Sequence, residues 1–141
     1  MAETRWLSFG DGAVKACFSL REEVFIKEQG FKEEFDERDK TCDHLLVTED
    51  GETVGVARLF PDGEKTYHVG RICVKKCRRG EGFGRLILDA CAKRAAELGA
   101  VRLILGAQLQ AEGFYRLNGF VRFGELFEEE GCPHVMMEKW I

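Results

Sequence analysis

The segment Lys75–Arg85, KKCRRGEGFGR, gathers five basic side chains and three glycines into eleven residues. Glycine lets the backbone approach a ligand with no side chain in the way, and unpaired amides at a helix start favour an anion. Together they describe a cradle for a phosphate or pyrophosphate. Spacing separates the glycine motifs. A Walker loop requires GxxxxGK[ST], but Arg85 stands five positions after Gly80 with no Lys-Ser or Lys-Thr behind it. A dinucleotide fingerprint requires GxGxxG, but Gly82-Phe83-Gly84 continues as Arg85-Leu86-Ile87. What remains is Arg79-x-x-Gly82-x-Gly84.

Other side chains able to move protons lie scattered along the chain. Tyr115 carries a phenol with a reference pKa of about 10, which makes it a proton donor at neutral pH. By residue type alone it reads equally as a half-buried core tyrosine beside Phe114 and Phe120. His44 and His134 bring imidazoles that titrate near neutrality. Cys42 and His44 are potential metal donors, but no second pair stands at ligand spacing, so no metal is expected. The six cysteines include no CxxC pair and fall within apparently regular elements, which reads as free thiols.

Composition narrows what the basic segment can serve. The formal net charge is −4, and binding to nucleic acid or to an anionic membrane needs a broad cationic surface, so the local patch must meet something small. A chain of 141 residues fits one domain spanning residues 1–141 with one sizeable core. No apolar run reaches membrane-spanning length, and the first residues lack the pattern of a signal peptide, so a soluble, cytoplasmic protein is expected.

The elements that must position these groups follow from periodicity. Residues 4–9 read as a short strand broken by Gly10-Asp11-Gly12. Val14, Cys17, Phe18, Val24 and Phe25 recur at helical spacing and should bury one helix face. Residues 30–43 form an acidic loop or short frayed helix, with carboxylates from Glu33 to Asp39 able to attract a cationic amine. Apolar stretches near 44–49, 53–60 and 66–74 are separated by Asp-Gly turns and predict an antiparallel meander. Phe83, Leu86, Ile87, Ala90, Cys91, Ala95 and Leu98 mark an amphipathic helix ended by Gly99, and Val101–Leu105 reads as a buried strand beyond it. Strand, basic segment, helix and strand make a right-handed βαβ unit. A short helix over Ala111–Leu117 ends at Asn118-Gly119, and strands near 121–127 and 134–140 close the chain. The expected fold class is α/β (α+β): three layers around a mixed, mostly antiparallel central sheet.

Carried by Arg79-x-x-Gly82-x-Gly84 at a strand-to-helix turn, the sequence resembles the GNAT superfamily of N-acetyltransferases. The stretches GRICV, AQ…FYRLNGF and GCPHVMM extend the likeness over almost the whole chain, to the small ElaA-like subgroup. The resemblance implies acetyl-CoA as cosubstrate, its pyrophosphate on amides between Cys77 and Arg85, with Arg79, Gly80, Gly82, Phe83, Gly84 and Arg85 forming the cradle. It implies that Ile72, Cys73 and Val74 offer strand-edge groups to the pantetheine arm, in a gap splayed between residues 74 and 105. Gln108, just past a strand end, and Asn118 of the FYRLNGF turn join the cofactor residues. Tyr115 becomes the acid that protonates the departing thiolate. Many relatives carry a carboxylate base on the fourth strand, where this chain has Gly70, so His134 or His44 is left to take the amine's proton. Arg58 and Arg71, with Glu28 and Gln29, also match subgroup features. The implied partners are acetyl-CoA and a primary amine of a small molecule or peptide; an exposed C-terminal strand, if the chain ends in one, would permit a homodimer. The alternative is a noncatalytic acetyl-CoA sensor, which an occluded acceptor cleft would favour.

Overall fold

The computed structural model describes residues 1–31, 35–129 and 131–141. Among them the strands are β1 (Ala2–Leu7), β2 (Asp43–Glu49), β3 (Glu52–Pro61), β4 (Thr66–Val74), β5 (Arg102–Gln108), β6 (Val121–Glu129) and β7 (Cys132–Trp140). The helices are α1 (Val14–Arg21), α2 (Phe83–Glu97) and α3 (Glu112–Leu117). One sheet runs β1-β2-β3-β4-β5-β7-β6, antiparallel throughout except for the β4–β5 pair. The expected meander is present, and its first turn shows why: Asp50 and Gly51 have φ of 51° and 80°, the left-handed pair that a two-residue hairpin requires.

Strand alternation sends Leu45, Val47, Ala57, Leu59, Leu103, Leu105, Val135 and Met137 to one face, where Phe83, Ile87, Leu88, Cys91 and Ala95 of α2 meet them. Leu46, Val56 and Cys73 point to the other face and pack against Cys17 and Leu20 of α1 and Leu7 of β1. The three expected layers are therefore α1, the sheet, and α2 with α3. The helix that starts at α1 widens into a π-helical stretch over Glu22–Glu28, which brings Val24 and Phe25 into the α1-side core. The 3.6-residue period read from Val14 to Phe25 does not reveal that change of pitch.

The C-terminal strand is not exposed. β7 lies between β5 and β6, paired on both sides, and the free edge on this side of the sheet belongs to β6. The expected dimer through the C-terminal strand is corrected on this point, because β7 has no open ladder to offer.

Charge is buried beneath the residues read as an acidic loop. A 3-10 turn over Glu37–Lys40 places Asp39 against Arg21 through bonds of 2.8 and 3.1 Å, with Arg58 3.0 Å away. Arg58 also grips Asp36 at 2.7 and 3.1 Å. Burial alone would raise the Asp39 carboxyl, but the Arg21 bond and charge, the Asp36 amide and the Arg58 charge hold it below its ordinary range. These guanidinium groups occupy the two carboxylates, so Asp36 and Asp39 do not serve as free attractors for an amine; Glu33 and Glu34 lie outside the described residues. A lowered folded-state pKa gives stability that is complete above the unfolded value of about 3.9 and is lost as pH falls through the folded value. Asp39→Asn should therefore cost about 1–3 kcal/mol at neutral pH and flatten the loss of melting temperature below about pH 4, as thermal melts across pH will show.

Candidate active site

β4 and β5 pair in parallel over only three positions, Thr66–Arg102, Tyr67–Leu103 and His68–Ile104. Beyond them the strands part, and the expected splay opens into a cleft of about 660 Å³. Val69, Gly70, Arg71 and Ile72 line one wall and Leu105, Gly106 and Gln108 the other. That volume lies within the roughly 300–1,000 Å³ typical of small-molecule sites. A bulge helps to aim the wall: Val56 faces Cys73 and Arg58 faces Gly70, so Arg71 and Ile72 together oppose Ala57. Arg71 takes φ of 51°, and the extra residue reverses the side-chain alternation of β4. Much of the cleft lining is aromatic, with Phe25 and Phe31 stacked at 6.1 Å and Phe35, Phe60 and Phe127 also contributing.

The basic segment forms the turn from β4 into α2. Gly80 and Gly82 have φ of 81° and 88°, and a Cβ at either would meet no atom within 4 Å, so the backbone there is both left-handed and open to a ligand. Gly82 is the N-cap of α2 with no side-chain cap, which leaves first-turn amides available to an anion. These features fit a pyrophosphate. Gly84 has a different reason: a Cβ there would stand 2.8 Å from Cζ of Phe114 on α3. Phe83 is buried in the core, so only its backbone can face a ligand. Arg85 is exposed and stands 3.9 Å from Asp89. Arg79 donates from Nε to the Val74 carbonyl at 3.0 Å and clasps Glu28 at 2.6 and 2.8 Å. Arg78 is held by Glu49, Glu52 and Glu81 with its guanidinium over the Phe83 ring, a carboxylate network that the sequence reading missed.

Of the three strand-edge residues, Ile72 lines the cleft, Val74 is partly buried, and the Cys73 side chain is buried on the α1 side. Gln108 reaches the cleft and donates to Gln29 Oε1 at 2.9 Å. Asn118 donates to the Phe114 carbonyl at 2.9 Å and so finishes α3.

Tyr115 projects from α3 into the same cleft, edge-on to Phe114 and Phe120. Its hydroxyl makes no hydrogen bond to a described residue and is not a buried orphan, so it keeps some accessible surface. Burial pushes the phenol up to about 12, with Cys91 adding to the shift, which keeps it protonated at neutral pH. His134 is buried on β7 and lines the cleft, stacked on Phe127 at 5.5 Å. Its Nδ1 stands 2.8 Å from the Cys132 carbonyl, an acceptor, so Nδ1 carries the proton and Nε2 a lone pair, 3.8 Å from Glu129.

His44 is elsewhere. It is buried on the α1 side with Nε2 2.8 Å from the Asp39 carbonyl, and burial lowers its pKa. No amine reaches it, and it leaves the list of bases. Donor atoms of Asp39, Cys42 and His44 do lie within 4.8 Å of one another. The set fits a metal poorly, because Arg21 and Arg58 hold the carboxylate and burial pushes the Cys42 thiol up to about 11. The third histidine, His68, lines the cleft and escaped the sequence reading. The available signal was its place two residues before Gly70 on one strand, hence on one face.

The comparisons agree with this geometry. Residues 12–141 match the family model described as an acetyltransferase (GNAT) domain. The uncharacterized N-acetyltransferase YjcF of Bacillus subtilis (strain 168) is 40% identical over 130 residues, covering 89% of this chain and 91% of that protein. The crystal structure of Escherichia coli ElaA superposes with a TM-score of 0.88 at 28% identity, covering 99% of both chains. An acyl-CoA N-acyltransferase from Pseudomonas aeruginosa gives a TM-score of 0.88 at 26% identity, again over 99% of each chain. With a glycine-lined turn open to an anion and a phenol lining the cleft of a splayed strand pair, this chain belongs to the GNAT acetyltransferases, enzymes that transfer acyl groups from coenzyme A thioesters.

Proposed function

We propose that the protein transfers the acetyl group of acetyl-CoA directly to a primary amine of a small molecule or peptide. The observation that carries this reading is Tyr115, protonated at neutral pH and lining the cleft between the splayed strands β4 and β5, with the Gly80–Gly84 cradle in the turn that follows β4. The cradle amides hold the pyrophosphate, and the pantetheine arm lies along Ile72 and Val74 toward the splay. The amine attacks the thioester carbonyl carbon, the carbon–sulfur bond breaks, and Tyr115, whose phenol is protonated at neutral pH, gives its proton to the departing thiolate and regains one from water. His134 Nε2 removes a proton from the nitrogen. Holding both substrates in one cleft supplies much of the acceleration. A cleft of about 660 Å³ beside Tyr115 has room for an acceptor, which favours transfer over an occluded sensor. The test is release of coenzyme A across a panel of primary amines; no amine-dependent release from protein that binds acetyl-CoA would end the reading.

His134→Gln should flatten the rise of kcat/KM with pH and leave acetyl-CoA affinity nearly intact, because the imidazole touches only the acceptor half. Rate against pH, with calorimetry on the same protein, checks both parts. An unchanged profile would remove His134 from the mechanism.

A further inference from the structure

The α1-side face of β4 carries His68 and Gly70 in succession, about 6.6 Å apart along the strand. At Gly70 the strand offers no side chain, Arg58 of β3 lies against it from across the ladder, and His68 is the next group along β4 on that face that could take a proton. Its ring stacks on Phe60 at 4.7 Å and 20° and lines the cleft. Nδ1 lies 3.1 Å from the Asp62 carboxylate, which can only accept, so Nδ1 carries the proton. Nε2 is left with its lone pair. It has no hydrogen-bond partner among the described residues and is not a buried orphan, so it keeps accessible surface in a side chain that lines the cleft. Asp62, in the β3–β4 turn, is half exposed to solvent, with 50% of its side-chain surface accessible. The imidazole therefore joins the acceptor cleft at one nitrogen to an exposed carboxylate at the other.

We infer that His68 and Asp62 form a proton exit that deprotonates the incoming ammonium group of the acceptor. The inference rests on the amine reading above. The chemistry of that reading calls for more than one proton acceptor. An alkylammonium must lose one proton to become a nucleophile and another when the tetrahedral intermediate becomes an amide, while the thiolate takes up only one. His68 serves the first loss: an N–H bond of the ammonium breaks, the Nε2–H bond forms, and the Nδ1 proton leaves through Asp62 to water. His134, on the opposite arm, serves the second. The charged groups around His68 are Asp62, which favours the imidazolium, and Arg58 and Arg38, which oppose it. Burial is the largest influence and lowers its pKa, so the imidazole waits in the neutral form. His68 touches the substrate and is a catalytic residue; Asp62 acts through it and is a positioning residue.

The experiment compares benzylamine, an ammonium at neutral pH, with aniline, which is neutral there. His68→Gln should lower kcat/KM for benzylamine at pH 7 by about tenfold, below a full general-base effect because His134 remains. It should leave aniline within about twofold of wild type, and the benzylamine loss should shrink as pH rises. Asp62→Asn, at an exposed turn, covers the case in which the buried substitution fails to fold. An asparagine amide donates to Nδ1, moves the ring proton to Nε2, and should give the same selective loss for benzylamine. Equal losses for both amines, or none for either, would overturn the proton exit and leave acetyl transfer standing. Wild-type protein that binds acetyl-CoA but releases no coenzyme A with any primary amine of the panel would overturn both readings.

Discussion

Tyr115→Phe should lower single-turnover acetyl transfer by about 10²-fold or more while acetyl-CoA affinity changes little. The substitution keeps the ring contacts with Phe114 and Phe120 and deletes only the proton proposed to reach the thiolate. A core tyrosine whose hydroxyl held a partner would behave differently, since loss of that bond leaves a buried group unsatisfied at roughly 1–3 kcal/mol. Here the hydroxyl has no partner among the described residues, so the melting temperature should stay close to that of the wild type. Melting temperature and transfer rate measured on one preparation therefore separate the roles. Normal turnover in the folded variant would sink the assignment of Tyr115 as acid, whatever the acceptor.

Gly82→Asp should weaken acetyl-CoA binding by about 10²-fold, read by calorimetry. The residue sits at φ of 88°, where a side chain costs about 1–2 kcal/mol, although aspartate bears that conformation better than most. Aspartate is also a good N-cap for α2, so the fold should survive and the helix start should gain a partner. That partner is the difficulty: its carboxylate occupies the amides that the pyrophosphate needs and repels the ligand's charge. Gly82→Ala carries the strain without the charge and should lose less. Equal losses in the two variants would show that conformation, and not anion competition, controls the site, and undiminished affinity in Gly82→Asp would remove the phosphate from this turn.

The parts of the molecule legible in the sequence are those whose cause is local. Asp50-Gly51 fixes a hairpin within four residues, and the Phe83–Ile87–Cys91–Ala95 repeat fixes a helix face within four turns. The order β5-β7-β6 is not local, because insertion of the last strand beside β5 depends on pairing residues such as Gln108 and His134 across 26 positions. His68 was hidden for a related reason. Alternation shows that it shares a face with Gly70, but only the splay of β4 from β5 makes that face a cleft wall. The Arg21–Asp39–Arg58 cluster was hidden because its members belong to three separate elements, and charge in an acidic stretch reads as solvated surface.

The close approach of Gly84 to Phe114 sets a constraint between positions thirty residues apart. The second glycine of the cradle motif lets α2 and α3 pack closely, and α3 carries Tyr115. An alanine at 84 would have to displace the Phe114 ring, and with it the neighbour that packs edge-on to the phenol. Relatives with alanine at the matching position should therefore carry a smaller or differently turned residue opposite it, so that the two sites covary as a pair. A motif ordinarily scored one position at a time is, in this chain, half of a two-site rule.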